Sequence, residues 1–129
     1  METKVLIVGH GYYASGLKSS LELLNGISED VLALDFKEGD SFEDLSLQVE
    51  NIVKNITTNW IILTDIQGGS PFKAAALSKM KYQNVQVCSG VNLPLLMEIV
   101  LTKNFNENID ELVKTAVTNC KESIFVLEL

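Results

Sequence analysis

The only histidine of the chain, His10, stands between Gly9 and Gly11, directly after the apolar run Lys4–Val8. Glycine on both sides leaves the imidazole bare to an incoming group. A second polar cluster, Asp65-Ile66-Gln67-Gly68-Gly69-Ser70-Pro71, follows the apolar run Trp60–Thr64. A carboxylate that accepts a hydrogen bond from one imidazole nitrogen fixes the tautomer. It leaves the other nitrogen as a nucleophile and stabilises positive charge on the ring. Ser70 followed by Pro71 predicts a helix start, with the serine as N-cap and the proline at the first helical position. A second helix opens after Gly11. Two helix N-termini at one crevice offer unpaired amides and positive dipole ends to a phosphoryl group, and Gly68-Gly69 lets the backbone come close.

The chemistry that fits is a histidine that accepts a phosphoryl group and passes it on. The candidate catalytic residues are His10, Asp65 and Ser70, and the candidate phosphate-binding residues are Gly11, Gly68, Gly69 and Ser70. With nitrogen as both donor and acceptor the bond energies nearly match, so neither metal nor cofactor is required. Blander roles stand beside these. His10 alone would read as a solvated loop histidine, and Asp65 alone as a turn residue bonding its own backbone. Tyr12, Tyr13 and Phe72 flank the site as a docking surface or as packing, and Lys73 holds an anion or is simply exposed.

Such a site needs elements that bring positions 10 and 65 together. Short apolar runs alternate with helical periodicity along the chain, the pattern of a parallel sheet with helices on its faces. Strands are expected at Lys4–Val8, Val31–Phe36, Trp60–Thr64 and Val85–Cys88. The first helix repeats at Ala14, Leu17, Leu21 and Leu24 and ends at Asn25-Gly26. The second has Ser41 as N-cap and a stripe of Phe42, Leu45, Val49, Ile52 and Ile56. Others cover 72–80, about 93–101, and a last one through Ile109, Leu112, Val113, Ala116, Val117 and Cys120. Right-handed crossovers favour the strand order 2-1-3-4, a small doubly wound α/β sheet. The ends of strands 1 and 3 then lie about 4.8 Å apart, with His10 past one and Asp65 past the other. The apolar terminus Ile124–Leu127 reads as one more strand, paired to its own sheet or exchanged with a second subunit in a homodimer.

The 129 residues form a single domain by size. A net charge of -7 speaks against nucleic acid or an anionic membrane surface as partner. No apolar run approaches the length of a membrane span or a signal-peptide core, so a cytoplasmic protein is expected. Cys88 and Cys120 have neither metal-binding nor redox spacing and read as buried free thiols.

Gly9-His10-Gly11-Tyr12-Tyr13-Ala14 also fits the dinucleotide fingerprint G-x-G-x-x-G/A, with Asp35 ending strand 2 where a ribose-binding acid belongs. That alternative, a small nucleotide-binding module, lacks a second mononucleotide half and leaves the Asp65–Pro71 cluster unexplained. A serine hydrolase built on Ser70, His10 and Asp65 lacks the G-x-S-x-G elbow. A regulatory protein sensing its own phosphohistidine is a third reading.

The strand into Gly9-His10-Gly11, the stretch Asp65–Phe72 and Gly90-Val91-Asn92-Leu93-Pro94 resemble, in order, the enzyme IIA components of the mannose family of the bacterial phosphoenolpyruvate-dependent sugar phosphotransferase system. The resemblance implies that His10 receives a phosphoryl group from the phosphocarrier HPr on the nitrogen farther from the backbone. It implies that Asp65 holds the nearer nitrogen, that Ser70 assists by a hydrogen bond, and that a histidine of enzyme IIB is the acceptor. It also implies a homodimer with crossed C-terminal strands. Gln67 and Lys73 depart from the common pattern of an apolar residue and an asparagine, which bears on partner preference. The chain is read as a IIA domain without the IIB part that some relatives carry. Mannose, fructose, sorbose, an amino sugar and gluconate are all open as the sugar, because a IIA site does not touch it.

Overall fold

The computed structural model describes residues 1–129. The apolar runs become four strands: β1 (Glu2–His10), β2 (Val31–Phe36), β3 (Thr58–Thr64) and β4 (Val85–Ser89). Between and after them come α1 (Tyr13–Asn25), α2 (Phe42–Val53), α3 (Gly69–Lys81), α4 (Leu93–Thr102) and α5 (Ile109–Cys120). The sheet order is β2-β1-β3-β4 and every pairing is parallel, as the crossover rule led one to expect.

Alternation along the strands divides the core in two. Val5, Ile7, Ile61 and Leu63 pack against α1, α4 and α5 on one face, while Leu6, Val8 and Ile62 meet α2 and α3 on the other. The central strands are buried on both sides, which is why β1 and β3 read as unbroken apolar runs. Each such side chain stabilises the fold by about 1.5–3 kcal/mol on burial. Two buried strands therefore carry His10 at the end of one and Asp65 just past the end of the other. At the opposite end of the sheet the buried Lys103 ammonium meets Asp30 at 2.8 Å.

Several expectations are corrected. Ser41 does cap α2, its side chain accepting from the Asp44 amide. Of the expected α2 stripe, Leu45 and Val49 are buried and Phe42 and Ile52 pack against the core, Val53 joins them, and Ile56 lies beyond the helix in solvent. In α1, Ala14 and Leu21 are buried and Leu17 packs against the core as expected, while Leu24 is exposed. Ser70 does not cap α3. Gly68 is the N-cap, at φ 84°, and Pro71 is the third helical residue. The two glycines can adopt positive φ, so the helix begins earlier than a serine–proline rule allows. Cys88 and Cys120 are free thiols, half-buried rather than buried.

The C-terminal segment forms no strand within the chain. A short 3₁₀ turn at Lys121–Ser123 ends it, and Ile124 and Val126 are each 82% exposed. A strand needs a neighbour for its backbone groups, and here neither edge of the sheet supplies one.

Candidate functional site

His10 is the last residue of β1, and Asp65 follows the last residue of β3. The pairing of β1 with β3 runs to Val8 opposite Thr64, so both side chains emerge at the carboxyl edge of adjacent strands. Asp65 Oδ2 lies 2.8 Å from the His10 amide nitrogen and 2.8 Å from ring Nδ1. Its other oxygen accepts from the Ile66 amide at 2.9 Å. An ionised carboxylate only accepts, so Nδ1 carries the proton and Nε2 keeps its lone pair. Burial pushes the Asp65 carboxyl upward, but the bonds from the His10 amide, the His10 ring and the Ile66 amide outweigh it and leave the group below its ordinary range. The imidazole is 44% exposed while the Asp65 side chain is only 9% exposed. The pair thus presents one face of the ring and shelters its support.

Two further groups fix that ring. Phe36, at the end of β2, stands edge-on to it, with ring centroids 6.1 Å apart and an interplanar angle of 86°. Gly69 lies against the imidazole's Cε1–Nε2 edge. A Cβ at that position would fall 3.1 Å from His10 Cε1 and 3.2 Å from Nε2, and the backbone φ is +77°. Only glycine meets both conditions. The free nitrogen therefore faces the start of α3, whose amides at Gly69 and Ser70 precede the first intrahelical bonds. Ser70 lies in that first turn, and no side chain caps the helix. Its hydroxyl is thus not spent on capping.

The second helix N-terminus is partly occupied. Gly11 N–H donates to the Phe36 carbonyl at 2.8 Å, which takes Gly11 off the set of amides free to hold an anion. Asp35 reaches the first turn of α1, accepting from the Ser15 amide at 3.0 Å and from the Ser15 hydroxyl at 2.6 Å. A carboxylate already compensates that dipole end. The same contact occupies the acid that the dinucleotide fingerprint would assign to a ribose. The structure brings together His10, Asp65 and Gly69, with Gly68 and Ser70 flanking Gly69 along the chain, and sets the Gly11 amide to another task.

Sequence reasoning missed Phe36 as a neighbour of His10 and Ser15 as the partner of Asp35. The register of β1 with β2, with His10 beside Phe36, is the signal that carries the first. Tyr13 spans the crevice, its hydroxyl donating to the Val91 carbonyl in the loop after β4. Tyr12 is exposed, with the Lys37 ammonium 5.5 Å from its ring centroid. Gln67 and Lys73 face solvent at the rim. Two of the larger concavities are lined by other residues. One of about 430 Å³ is lined by Asp35, Phe36, Asp40 and Asp44, and one of about 530 Å³ by Met1, Tyr82 and Asn84. His10 lines neither, but its edge-on neighbour Phe36 lines the first, so that concavity adjoins the site.

Residues 4–117 match the family model described as "PTS system fructose IIA component". The chain is 33% identical over 130 residues to the mannose-specific EIIAB component of Escherichia coli (strain K12), covering 99% of this chain and 40% of that protein. It thus spans about two-fifths of the length of that relative. It is also 33% identical over 98 residues to the fructose-specific EIIA component of Bacillus subtilis (strain 168), covering 74% of this chain and 67% of that one. The crystal structure of the phosphotransferase system component EIIA from Streptococcus agalactiae superposes with a TM-score of 0.90 at 35% identity, covering 96% of each chain.

Proposed function

The chain belongs to the mannose-family enzyme IIA components of the sugar phosphotransferase system, and on that premise we propose that residues 1–129 act as one phosphocarrier domain whose His10 takes a phosphoryl group from phospho-HPr and hands it to a histidine of enzyme IIB. The observation that carries this reading is the single oxygen of Asp65 bonded to both the amide and Nδ1 of His10. It leaves an exposed, oriented Nε2 facing the start of a helix.

In the proposed step, the Nε2 lone pair attacks the phosphorus of the donor phosphohistidine. The P–N bond of the donor breaks, and its electron pair returns to the donor ring. Positive charge grows on the His10 imidazole, and the Asp65 carboxylate offsets it across the Nδ1–H bond. The amides at Gly69 and Ser70, the Gly68 turn and the Ser70 hydroxyl stabilise the phosphoryl oxygens. Handing on to enzyme IIB is the same step reversed, with a new histidine as nucleophile. An exposed site without an enclosing cavity suits a protein partner, whose own side chains must exclude water on docking. No helix is long and apolar enough to cross a membrane, and we assign the domain to the cytoplasm. A second copy of the chain covers the exposed Ile124–Leu127 segment, giving a homodimer. The sugar is decided by components other than this one.

The test is transfer in sequence. Purified enzyme I, HPr and labelled phosphoenolpyruvate are expected to label the chain, and addition of a cognate enzyme IIB to drain that label. A chain that accepts label but yields it to no IIB of its organism would overturn the carrier role in favour of a phosphohistidine sensor. Tight dinucleotide binding with no transferable label would restore the nucleotide-binding alternative.

A further inference from the structure

The loop after β4 is bound to the site from two directions. Gly90 N–H and Val91 N–H both donate to the carbonyl of Thr64, at 2.9 and 3.1 Å, and Thr64 immediately precedes Asp65. From the other side, the Val91 carbonyl accepts the hydroxyl of Tyr13, the first residue of α1. Tyr13 and Asp65 also converge on one point. A Cβ at Gly9 would meet Tyr13 Cβ at 3.1 Å and both Tyr13 Cδ1 and Asp65 Cγ at 3.3 Å. Burial, and then the Asp65 charge, push the Tyr13 phenol above its ordinary value. The contacts close a circuit from His10 through the α1 turn to Tyr13, Val91, Thr64, Asp65 and back to His10.

Resting on the phosphocarrier reading, we propose that Tyr13 is a positioning residue for phosphoryl transfer, its tethered ring walling the flank of Asp65 so that the carboxylate stays aligned on His10. A tyrosine serves because its ring excludes water while its hydroxyl finds a fixed acceptor. Tyr13 itself remains 41% exposed, so its ring is held by the tether and not by the core. With water kept from the carboxylate, the bond to Nδ1–H strengthens and its geometry narrows. As the ring gains charge during transfer, that bond has the most to give. The only hydrogen bond of the Tyr13 side chain goes to Val91, so its effect on His10 runs through Asp65.

The test compares Tyr13→Phe and Tyr13→Ala with wild type, by the rate of labelling from phospho-HPr and by the His10 Nδ1–H resonance in nitrogen-15 spectra. Losing the wall is expected to slow labelling about tenfold in Tyr13→Ala, and losing only the tether about threefold in Tyr13→Phe, with the final extent of labelling unchanged. In both variants the Nδ1–H resonance is expected to broaden and move upfield. A merely structural role would lower the melting midpoint and leave that resonance in place. Wild-type rates with an unmoved resonance in either variant overturn the proposal. If Tyr13→Ala does not fold, Tyr13→Phe decides by the same two readouts. Should the wild type itself take no label, it is the phosphocarrier reading that fails, and the resonance alone still decides whether Tyr13 aligns the pair.

Discussion

A single oxygen of Asp65 serves His10 twice, lying 2.8 Å from its backbone amide and 2.8 Å from ring Nδ1. The carboxylate therefore pins both the end of the strand and the ring that projects from it. Asp65→Ala removes both bonds and leaves the core untouched. A charge-assisted bond of this kind is worth about 1.5–3 kcal/mol, so phosphoryl transfer is expected to slow about 10- to 100-fold while the fold persists. Stopped-flow or quench-flow labelling from phospho-HPr measures this. Wild-type rates in Asp65→Ala would remove the residue from the mechanism.

Three carboxyls, Asp30, Glu50 and Asp65, titrate below their ordinary range, and the sign of their effect on stability follows. At Asp65 burial works upward and is overcome by the three hydrogen bonds, while at Asp30 the bond from Lys103 dominates. A depressed carboxyl adds stability above the unfolded-state value of about 3.9, and that contribution is lost as pH falls through the folded value. Urea midpoints are expected to drop below about pH 5, with a shallower acid limb in a double variant Asp30→Asn, Asp65→Asn. Parallel acid limbs in the two proteins would contradict the assignment.

Gly69 and Gly26 separate backbone strain from a clash at the site. Both have positive φ, 77° and 82°, but a Cβ at Gly26 meets nothing within 4 Å while one at Gly69 strikes the imidazole. Each alanine substitution is expected to cost about 1–3 kcal/mol in a denaturation curve. Only Gly69→Ala should also lose acceptance of the phosphoryl group. Normal labelling of that variant would show that the ring does not need the space.

Most of the scaffold was legible because its signals are local. Four apolar runs, bounded by turn residues and separated by helical periods, suffice for the strand order once right-handed crossovers are imposed. That order alone brings residues 10 and 65 to one edge. What could not be read is where individual polar groups end up. Ser70 looks like a cap by type, yet the glycines before it adopt positive φ and start the helix earlier. Asp35 looks like a ribose ligand by position, yet it bonds Ser15. The Tyr13 tether joins positions far apart in sequence through a backbone carbonyl, which has no residue signature at all.

The terminal segment carries its own expectation. Phe125 and Leu127 are 75% and 69% exposed beside Ile124 and Val126, a contiguous apolar surface that a stable chain covers. Removing residues 124–129 spares the bond from Asn92 to the Ser123 hydroxyl at 3.0 Å. Sedimentation equilibrium is expected to find the full chain dimeric and the shortened one monomeric. A dimer that survives the truncation would refute exchange of this segment.

The most direct measurement is the position of the phosphoryl group. The chain is labelled from phospho-HPr, kept alkaline, and examined by nitrogen-15 and phosphorus-31 spectroscopy beside His10→Ala. The expected result is one phosphoryl group on Nε2 of His10, stable in base, lost in acid and absent from the variant. A phosphoryl group on Nδ1, or label persisting in His10→Ala, would contradict the arrangement in which Asp65 holds one nitrogen and offers the other.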